Sequence, residues 1–268
     1  FGINHDDWQL IRNNPLKPLV NKTLSGLYSP GSTIKPIVAL AALENDVIST
    51  NFKVNCTGKI EMYGQTYHCW KKKGHGVVNL KGAMKQSCDT YFYEIARKLG
   101  VDRLKKTAVK FGLGEKVLEE NFGNEKRGLV PDTEWKKNNL GKGWVLGETL
   151  ITGIGQGYLQ TTPLQLCLMT AQLANGGYKI YPRIISKEDD ETLEEIKYQI
   201  EKNSKEAAEE KDGITEAGEQ LLSLIKEKKH EPLYRNPENI KFILQAMFAS
   251  TNEIRGTSYS SRIKDPKY

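Results

Sequence analysis

The stretch from Pro30 to Leu43 constrains this chain more than any other part of its sequence. It reads Pro-Gly-Ser-Thr-Ile-Lys-Pro and continues as Ile-Val-Ala-Leu-Ala-Ala-Leu. The second half is apolar on every side, which predicts a helix from about Ser32 that is buried in the core. Ser32 and Lys35 are three residues apart at its start, so both lie on one helix face within mutual reach. The sequence therefore predicts a nucleophile and a base at the end of a buried helix.

The Ser-x-x-Lys pattern is short, and the chain contains it three times. The copies at Ser223 and Ser261 lie in a charge-dense stretch and in a polar tail. Neither copy has a Pro-Gly start or an apolar helix that could bury the lysine. At Ser32 the context does favour a buried lysine, and burial favours the neutral amine that a base requires.

Length and charge exclude some classes of function. The chain has 268 residues, enough for one large domain or two small ones, and a net charge of +6. Lys and Glu are interspersed and form no basic stripe, so we expect no nucleic-acid partner. The sequence has no run of 18 apolar residues and does not begin with a charged and then apolar signal pattern.

Three regions are predicted along the chain. Residues 1–186 contain the buried helix and the chemical motifs, and residues 1–28 are polar with prolines, which predicts loops and short turns. Residues 187–232 are dominated by Lys, Glu and Asp, which is typical of a solvated helical or partly disordered insertion. Residues 233–268 return to a mixed composition, with an apolar helical stretch from Ile240 to Phe248.

Four further elements are predicted in the first region. Lys59–Cys69 alternates around Gly-Gln and predicts a hairpin, which brings Cys56 and Cys69 to the same end. Ser87–Leu99 has apolar residues at helical spacing, with Ser87 near the N-cap. Thr162–Ala174 starts with Thr-Pro, typical of a helix start, and follows a glycine-rich bend that we expect to pack tightly. A short strand is expected after this helix, at Tyr178–Ile185.

Four sequence blocks in fixed order resemble one known family. The family is penicillin-binding protein 2, and the resemblance is to the transpeptidase domain of this class B, elongation-type group. The blocks read Tyr-Ser-Pro-Gly-Ser-Thr-Ile-Lys-Pro, Trp-Lys-Lys-Lys-Gly-His-Gly, Ser-Cys-Asp-Thr-Tyr-Phe-Tyr, and Gly-Gln-Gly followed by Thr-Thr-Pro. They occupy Tyr28–Pro36, Trp70–Gly76, Ser87–Tyr93 and Gly155–Pro163.

The resemblance implies a fold and an activity. The fold is the α+β serine transpeptidase/β-lactamase-like fold, of which the part present is mainly helical with short strands and a hairpin. The activity is D,D-transpeptidation of peptidoglycan, in which Ser32 attacks the D-Ala-D-Ala carbonyl and forms an acyl-enzyme. Lys35 would accept the serine proton and Ser87 would relay it to the leaving amine. Asp89 stands where related proteins often have Asn, and an ionised Asp89 beside Lys35 opposes the role of Lys35 as a base.

The resemblance also implies partners and a location. Stem peptides, β-lactam antibiotics, and a SEDS-type glycosyltransferase with the elongation complex would be the partners. The chain would be the periplasmic domain of a bacterial protein anchored in the inner membrane, with the anchor outside this sequence. Two alternatives remain open: a D,D-carboxypeptidase or β-lactamase of the same fold, or a non-catalytic β-lactam-binding sensor or scaffold.

One family motif is missing. The third motif, Lys-Thr-Gly or Lys-Ser-Gly on an edge strand, has no match, since Lys22-Thr23 and Lys106-Thr107 are not followed by glycine. That strand forms part of the oxyanion hole, and loss of one oxyanion donor lowers rates by about 10²–10³-fold. We therefore expect this chain to be acylated slowly or not at all.

Three cysteines and a histidine suggest a metal site. Cys56, Cys69, His75 and Cys88 supply four ligands of the type that Zn²⁺ binds tetrahedrally, although their spacing is wider than in a zinc finger. Some penicillin-binding protein 2 members have a structural zinc that this set resembles, most closely at His75 and Cys88. A Cys56–Cys69 disulfide and ordinary buried thiols are the two alternatives. No cofactor is expected for catalysis itself.

Overall fold

The computed structural model describes residues 2–118, 124–182 and 231–263. The predicted insertion at 187–232 therefore lies outside the described residues except at its last two positions. Two turns of 3₁₀-helix, Gly31–Ile34 and Tyr259–Ser261, accompany the regular elements. These elements are α1 (His5–Arg12), α2 (Lys22–Ser25), α3 (Lys35–Glu44), β1 (Lys53–Cys56), β2 (Lys59–Met62), β3 (Gln65–His68), β4 (Gly76–Asn79), α4 (Leu80–Lys85), α5 (Asp89–Leu99), α6 (Val101–Lys110), α7 (Thr133–Leu140), α8 (Leu146–Thr152), α9 (Pro163–Ala174) and α10 (Pro237–Asn252).

Helix α3 is the centre of the core, as its apolar sequence predicts. Every residue from Ile37 to Leu43 is at most 5% exposed. Helices α4, α5, α6 and α10 surround it. Pro36 lies in the first turn, where the N–H that proline lacks has no helical partner. The helix ends at Asn45, whose side chain donates to the carbonyl of Ala41.

The strands form two small antiparallel sheets, β1 with β4 and β2 with β3. The β2–β3 pair is the predicted hairpin, with Lys59 opposite His68, and its turn contains Gly64 with φ +73°. In the other pair Cys56 lies opposite Gly76. The α+β assignment and the mainly helical character of the chain are therefore confirmed.

Two local predictions need correction. Residues 1–28 contain α1 and α2 in addition to loops, and Asn4 caps α1 by accepting the N–H of Asp7 at 2.8 Å. Of the strand expected at Tyr178–Ile185, residues 178–182 are described, and they make a single bridge, between Tyr178 and Pro232; residues 183–185 lie outside the described residues. Ser87 lies near the N-cap as predicted, since α5 begins at Asp89 and its N-cap residue is Cys88.

The predicted tight packing of the glycine-rich bend is confirmed. The N–H of Gly31 donates to the carbonyl of Gly155 at 2.9 Å. Gly155 has φ +79°, and a Cβ there would lie 2.1 Å from the carbonyl oxygen of Gly31. Tyr28 and Thr161 exchange two backbone hydrogen bonds of 2.9 Å. The residues just before Ser32 are therefore fixed by a segment far along the chain.

The helix start at Thr162 is also as predicted. Thr162 Oγ1 accepts the N–H of Gln165 at 3.2 Å, and the Gln165 side chain accepts the N–H of Thr162 at 3.0 Å. These reciprocal bonds form a capping box. Among the described helices, none is both long and apolar enough to cross a membrane.

Candidate active site

The four predicted catalytic residues lie together. Ser87 Oγ is 3.1 Å from Ser32 Oγ and 2.9 Å from Lys35 Nζ. Lys35 Nζ is also 2.7 Å from Asp89 Oδ1. Ser87 thus stands between Ser32 and Lys35, whereas the sequence predicted a direct contact between them. The site is a chain of hydrogen bonds from Ser32 through Ser87 to Lys35.

Lys35 is held by three oxygen acceptors. They are Asp89 Oδ1, Ser87 Oγ and the backbone carbonyl of Ser87, which is 3.0 Å from Nζ. An ammonium group has three N–H donors, so these acceptors match its capacity. The ring of Phe92 lies 5.2 Å from Nζ, within cation–π range. The Lys35 side chain is only 4% exposed, so this arrangement is shielded from solvent.

The backbone at Ser87 is in an unusual conformation. Its φ is +51°, in the left-handed region that residues other than glycine rarely adopt. Its N–H donates to the carbonyl of Met84 at 3.1 Å, which closes the turn after α4. This conformation directs both the carbonyl and the hydroxyl of Ser87 at Lys35. Such strain, of order 1–3 kcal/mol, typically persists at functional sites.

Trp70 also contacts this site, although the sequence does not predict it as a site residue. Its backbone N–H donates to Asp89 Oδ2 at 2.9 Å. Its indole N–H donates to the carbonyls of Gln86 and Ser87 at 3.1 and 3.0 Å. The sequence signals for Trp70 are that it directly follows Cys69 and that it begins the second family block.

The four predicted metal ligands also lie together. One ligand atom from each of Cys56, Cys69, His75 and Cys88 lies within 4.8 Å of the others. His75 Nδ1 is 3.6 Å from Cys56 Sγ and 3.5 Å from Cys69 Sγ. All three thiols are at most 3% exposed. We call these four residues the thiol cluster.

The cluster cysteines are free, so the disulfide alternative is not realised in the structure. The Cys88 thiol, hydrogen-bonded to Cys69, lowers the pKa of Cys69 to about 4, and the same bond together with burial raises the pKa of Cys88. Cys56 donates to Thr90 Oγ1 at 3.3 Å. His75 Nε2 is buried and has no hydrogen-bond partner among the described residues. Three buried thiols beside an imidazole are a donor set suited to a soft cation.

Sequence order connects the cluster to the catalytic residues. Cys69 precedes Trp70, and Cys88 lies between Ser87 and Asp89. Each of these two cysteines is thus one peptide bond away from a residue that contacts Lys35 or its acceptors. The cluster and the Ser32 site are therefore parts of one structural unit.

The fold and this site define a class of protein. Ser-x-x-Lys with a second-motif serine is the signature of penicillin-binding proteins and related β-lactamases. The chain belongs to the penicillin-binding protein transpeptidase domain family, whose model matches residues 4–218. The resemblance inferred from the four sequence blocks is confirmed.

Individual relatives agree with this assignment. Peptidoglycan D,D-transpeptidase MrdA of Acinetobacter baumannii is 39% identical over 186 residues, covering 69% of this chain and 28% of the relative. MrdA of Escherichia coli K12 is 38% identical over 186 residues, covering 69% of this chain and 29% of the relative. The chain thus spans under a third of the length of these curated relatives.

Solved structures show the same fold. Penicillin-binding protein 2 of Pseudomonas aeruginosa, in complex with WCK 5153, has a TM-score of 0.77 at 35% identity. That match covers 97% of this chain and 52% of the other. Penicillin-binding protein 2 of Helicobacter pylori, in complex with MreC, has a TM-score of 0.75 at 29% identity, covering 97% of this chain and 42% of the other.

Proposed function

We propose that this chain provides the nucleophile, base and relay of a peptidoglycan D,D-transpeptidase. The observation that supports this most directly is the unbroken contact from Ser32 Oγ through Ser87 Oγ to Lys35 Nζ. The curated relatives are named for that activity. A short chain of hydroxyls ending at a buried lysine can move a proton to or from a serine oxygen.

The proposed reaction has two halves. Ser32 Oγ attacks the carbonyl of the D-Ala-D-Ala peptide bond, and the serine proton passes to Ser87 while Ser87 passes its own to Lys35. The C–N bond then breaks, and the protons return along the same chain to the departing amine of D-Ala. In the second half an acceptor amine attacks the ester, gives its proton to the hydrogen-bonded residues Ser87 and Lys35, and releases Ser32.

Asp89 sets the direction in which protons move. With a charged lysine, Lys35 donates to Ser87 and Ser87 donates to Ser32, which is the direction needed to protonate a leaving amine. With a neutral lysine the direction reverses, which is the direction needed to activate Ser32. An ionised Asp89 stabilises the charged form. We propose that Lys35 and Asp89 stay in contact throughout and share the proton within one hydrogen-bonded network with Ser87.

The test is covalent labelling by a fluorescent penicillin followed by peptide mass spectrometry. We expect a single adduct on Ser32, formed slowly in this chain because its sequence lacks the third motif, absent in Ser32→Ala and slowed further by at least about 10²-fold in Lys35→Met. Ser223→Ala, in the second Ser-x-x-Lys copy, is the matched control and should label as the wild type does. If the chain is part of a longer protein, the same variants are compared there. A folded wild type with no adduct on Ser32 in either form would contradict the proposal.

The rival functions predict other outcomes of this experiment. A β-lactamase would release hydrolysed penicillin with turnover, and a D,D-carboxypeptidase would release D-Ala from a stem peptide without forming a cross-link. A sensor or scaffold would be labelled at Ser32, yet cells with Ser32→Ala in the full protein would keep their shape. We expect stable adducts, cross-linked product with an amine acceptor, and loss of cell shape.

Partners and location belong to the same proposal. The Helicobacter pylori relative forms a complex with MreC, and a further neighbour of 25% identity is part of a peptidoglycan synthase complex. We propose corresponding partners here, including a SEDS-type glycosyltransferase, and a periplasmic position on a membrane-anchored protein. Co-purification of the full protein with such a glycosyltransferase, lost on deletion of the anchor, tests both points.

We also propose that the thiol cluster binds a structural zinc ion. In tetrahedral zinc sites with Zn–S of about 2.3 Å and Zn–N of about 2.05 Å, the S···N edge is about 3.6 Å. The two measured edges from His75 Nδ1, to Cys56 Sγ and Cys69 Sγ, are 3.6 and 3.5 Å. Three cysteines and one histidine form a closed structural set, so the ion would brace the loops and take no part in the reaction.

Elemental analysis of the purified chain tests the zinc proposal. We expect one zinc per chain in the wild type and much less in Cys56→Ser, with Cys167→Ser as the control because Cys167 is exposed and outside the cluster. An absence of metal together with an intact mass two protons below the reduced value would overturn this proposal in favour of a disulfide.

A further inference from the structure

Trp70 lies where the Ser32 site meets the thiol cluster. Its backbone N–H binds Asp89 Oδ2 at 2.9 Å, and its indole N–H binds the carbonyl of Ser87 at 3.0 Å. The edge of its ring meets the imidazole of His75, with ring centroids 5.4 Å apart. Trp70 therefore contacts both halves of the structural unit described above.

The acceptors that Trp70 binds are the ones that hold Lys35. Asp89 presents Oδ1 to Lys35 and Oδ2 to Trp70. The carbonyl oxygen of Ser87 accepts one hydrogen bond from Lys35 Nζ and one from the Trp70 indole N–H, each at 3.0 Å. Each acceptor is thus fixed from two sides. A carboxylate bound at both oxygens cannot rotate without breaking a charge-assisted hydrogen bond.

Packing does not account for the position of Trp70. Its side chain is 58% exposed, so the hydrophobic effect contributes little to holding it in this place. Its indole N–H nevertheless has two carbonyl partners, at Gln86 and Ser87. Trp135 is the contrast, because its ring packs against that of Tyr158, with ring centroids 5.2 Å apart.

We propose that Trp70 is a positioning residue, which holds Asp89 and the Ser87 carbonyl in the orientation that fixes Lys35. This proposal makes two claims. The claim that Trp70 speeds acylation rests on the proposed function. The claim that Trp70 immobilises Lys35 concerns the structure alone and needs no reaction. Two measurements therefore separate the two claims.

The first measurement is the NMR order parameter at Lys35 Cε. The Lys35 signal is identified by its disappearance in Lys35→Arg. In the wild type we expect a rigid side chain, with an order parameter of about 0.8. Trp70→Phe keeps the backbone N–H and the ring but removes the indole donor, and Trp70→Ala removes the ring as well. We expect a decrease in Trp70→Phe and a fall below about 0.6 in Trp70→Ala.

Two controls show whether the effect is local. Lys136 is as buried as Lys35 and is paired with Glu148 at 2.5 Å, so its Cε order parameter should not change in the Trp70 variants. Trp135→Phe is the matched substitution elsewhere and should leave Lys35 as rigid as in the wild type. Rigid Lys35 in both Trp70 variants would overturn the inference.

The second measurement is the kinetics of Ser32 acylation by a fluorescent penicillin. Loss of a positioning hydrogen bond should lower the rate constant of the acylation step by at least about threefold in Trp70→Phe. The dissociation constant of the non-covalent complex with penicillin should stay within twofold of the wild-type value. A change in the initial complex alone would show that Trp70 only binds ligand, and would overturn the positioning role. If neither this chain nor a longer protein that contains it is acylated while Lys35 is mobilised in the Trp70 variants, the proposed function fails and the positioning role stands.

Discussion

At the scale of single residues, Lys35 is the most constrained side chain in the site. Its only formal counter-charge within 4 Å in the described part of the chain is Asp89, and both groups are largely shielded from water. Removal of one member of such a buried pair leaves an uncompensated charge, which is a larger penalty than the pair itself is worth. The arrangement therefore makes the stability of the fold depend on Lys35, the proposed base.

Lys35→Met should lower the free energy of unfolding by about 3–5 kcal/mol, because Asp89 is then buried without a cation. Lys105→Met is the control, since Lys105 pairs with Asp132 at 2.7 Å but is 34% exposed, and it should cost less than about 1 kcal/mol. Urea unfolding measures both. The double variant Lys35→Met/Asp89→Leu should regain most of the loss, and a double variant as unstable as Lys35→Met would contradict this explanation.

Most residues of the candidate site could be predicted from the sequence, but their arrangement in space could not. Ser32 and Lys35 were found from helical spacing, yet this spacing does not reveal that Ser87 lies between them. The left-handed backbone at Ser87 gives no signal in a single sequence, because serine has no preference for it. The role of Trp70 is not predictable from sequence because its indole binds backbone carbonyls and its own backbone N–H binds Asp89, and residue type does not reveal where backbone atoms lie.

At the scale of elements, glycines allow the loops of the thiol cluster to approach each other. Gly74 has φ +77°, and a Cβ there would lie 2.1 Å from the carbonyl oxygen of Cys56. Gly58 faces the same loop, with its would-be Cβ 2.0 Å from the carbonyl oxygen of Lys72. Only glycine permits both the positive φ and the close contact. The ligands are thus brought together by backbone contacts as well as by strand pairing.

Gly74→Ala should therefore be far more harmful than Gly64→Ala. Gly64 has a similar φ of +73° but open space where its Cβ would lie, so its substitution costs only backbone strain of about 1–2 kcal/mol. Gly74→Ala adds a collision with backbone and should cost more than about 3 kcal/mol. Thermal unfolding compares the two variants. Equal losses would show that the close contact at Gly74 does not matter.

Ion pairs join helix α4 to Glu253, the residue that follows α10, and their contribution to stability should depend on pH. Glu253 accepts from Lys81 and Lys85 at 2.8 Å each, and these bonds lower its pKa from 4.5 to about 2. A lowered carboxyl pKa contributes stability above pH 4.5, and that contribution is lost as the pH falls through about 2. Glu253→Gln should thus reduce the urea midpoint most above pH 5 and least near pH 2. Glu238→Gln, at an exposed pair of 3.7 Å, should show no such trend.

Elements were predictable where local sequence decides them. The apolar run of α3, the hairpin at Gly64 and the Thr-Pro start of α9 all agree with the structure. The first helix is not predicted because the polar, proline-containing composition of residues 1–28 favours loops, although a capping residue at Asn4 and acidic residues in the first turn favour a helix start. Of the strand expected at Tyr178–Ile185, residues 178–182 make one bridge among the described residues, to Pro232, because a strand needs a partner along its length; the rest of that prediction lies outside the described residues.

At the scale of the whole molecule, one continuous hydrophobic cluster extends from α3 to α10 and includes the thiol cluster cysteines. The first helix lies apart from it, since α1 has no buried residue. Stability should therefore be distributed unevenly along the chain. Substitutions of the same type should differ greatly in effect between α3 and α1.

Leu40→Ala and Leu10→Ala make this comparison directly. Leu40 is fully buried in α3, and its truncation should cost about 2–5 kcal/mol in the free energy of unfolding. Leu10 is 71% exposed in α1, and its truncation should change stability by less than about 0.5 kcal/mol. Denaturant unfolding with a single fluorescence probe measures both. A large loss in Leu10→Ala would show that α1 is covered in solution.

The contact that fixes the start of the Ser32 loop also bears on the order of events during synthesis. Tyr28 and Thr161 are separated by 133 residues, and their paired backbone bonds hold the approach to Ser32. At about 5–20 residues per second, a ribosome needs roughly 7–27 s to make that interval. Ser32 is thus synthesised well before the segment that fixes the residues leading to it. Until Thr161 has been made, the nascent chain holds Ser32 without this contact, so the geometry around Ser32 is completed only after the intervening elements exist.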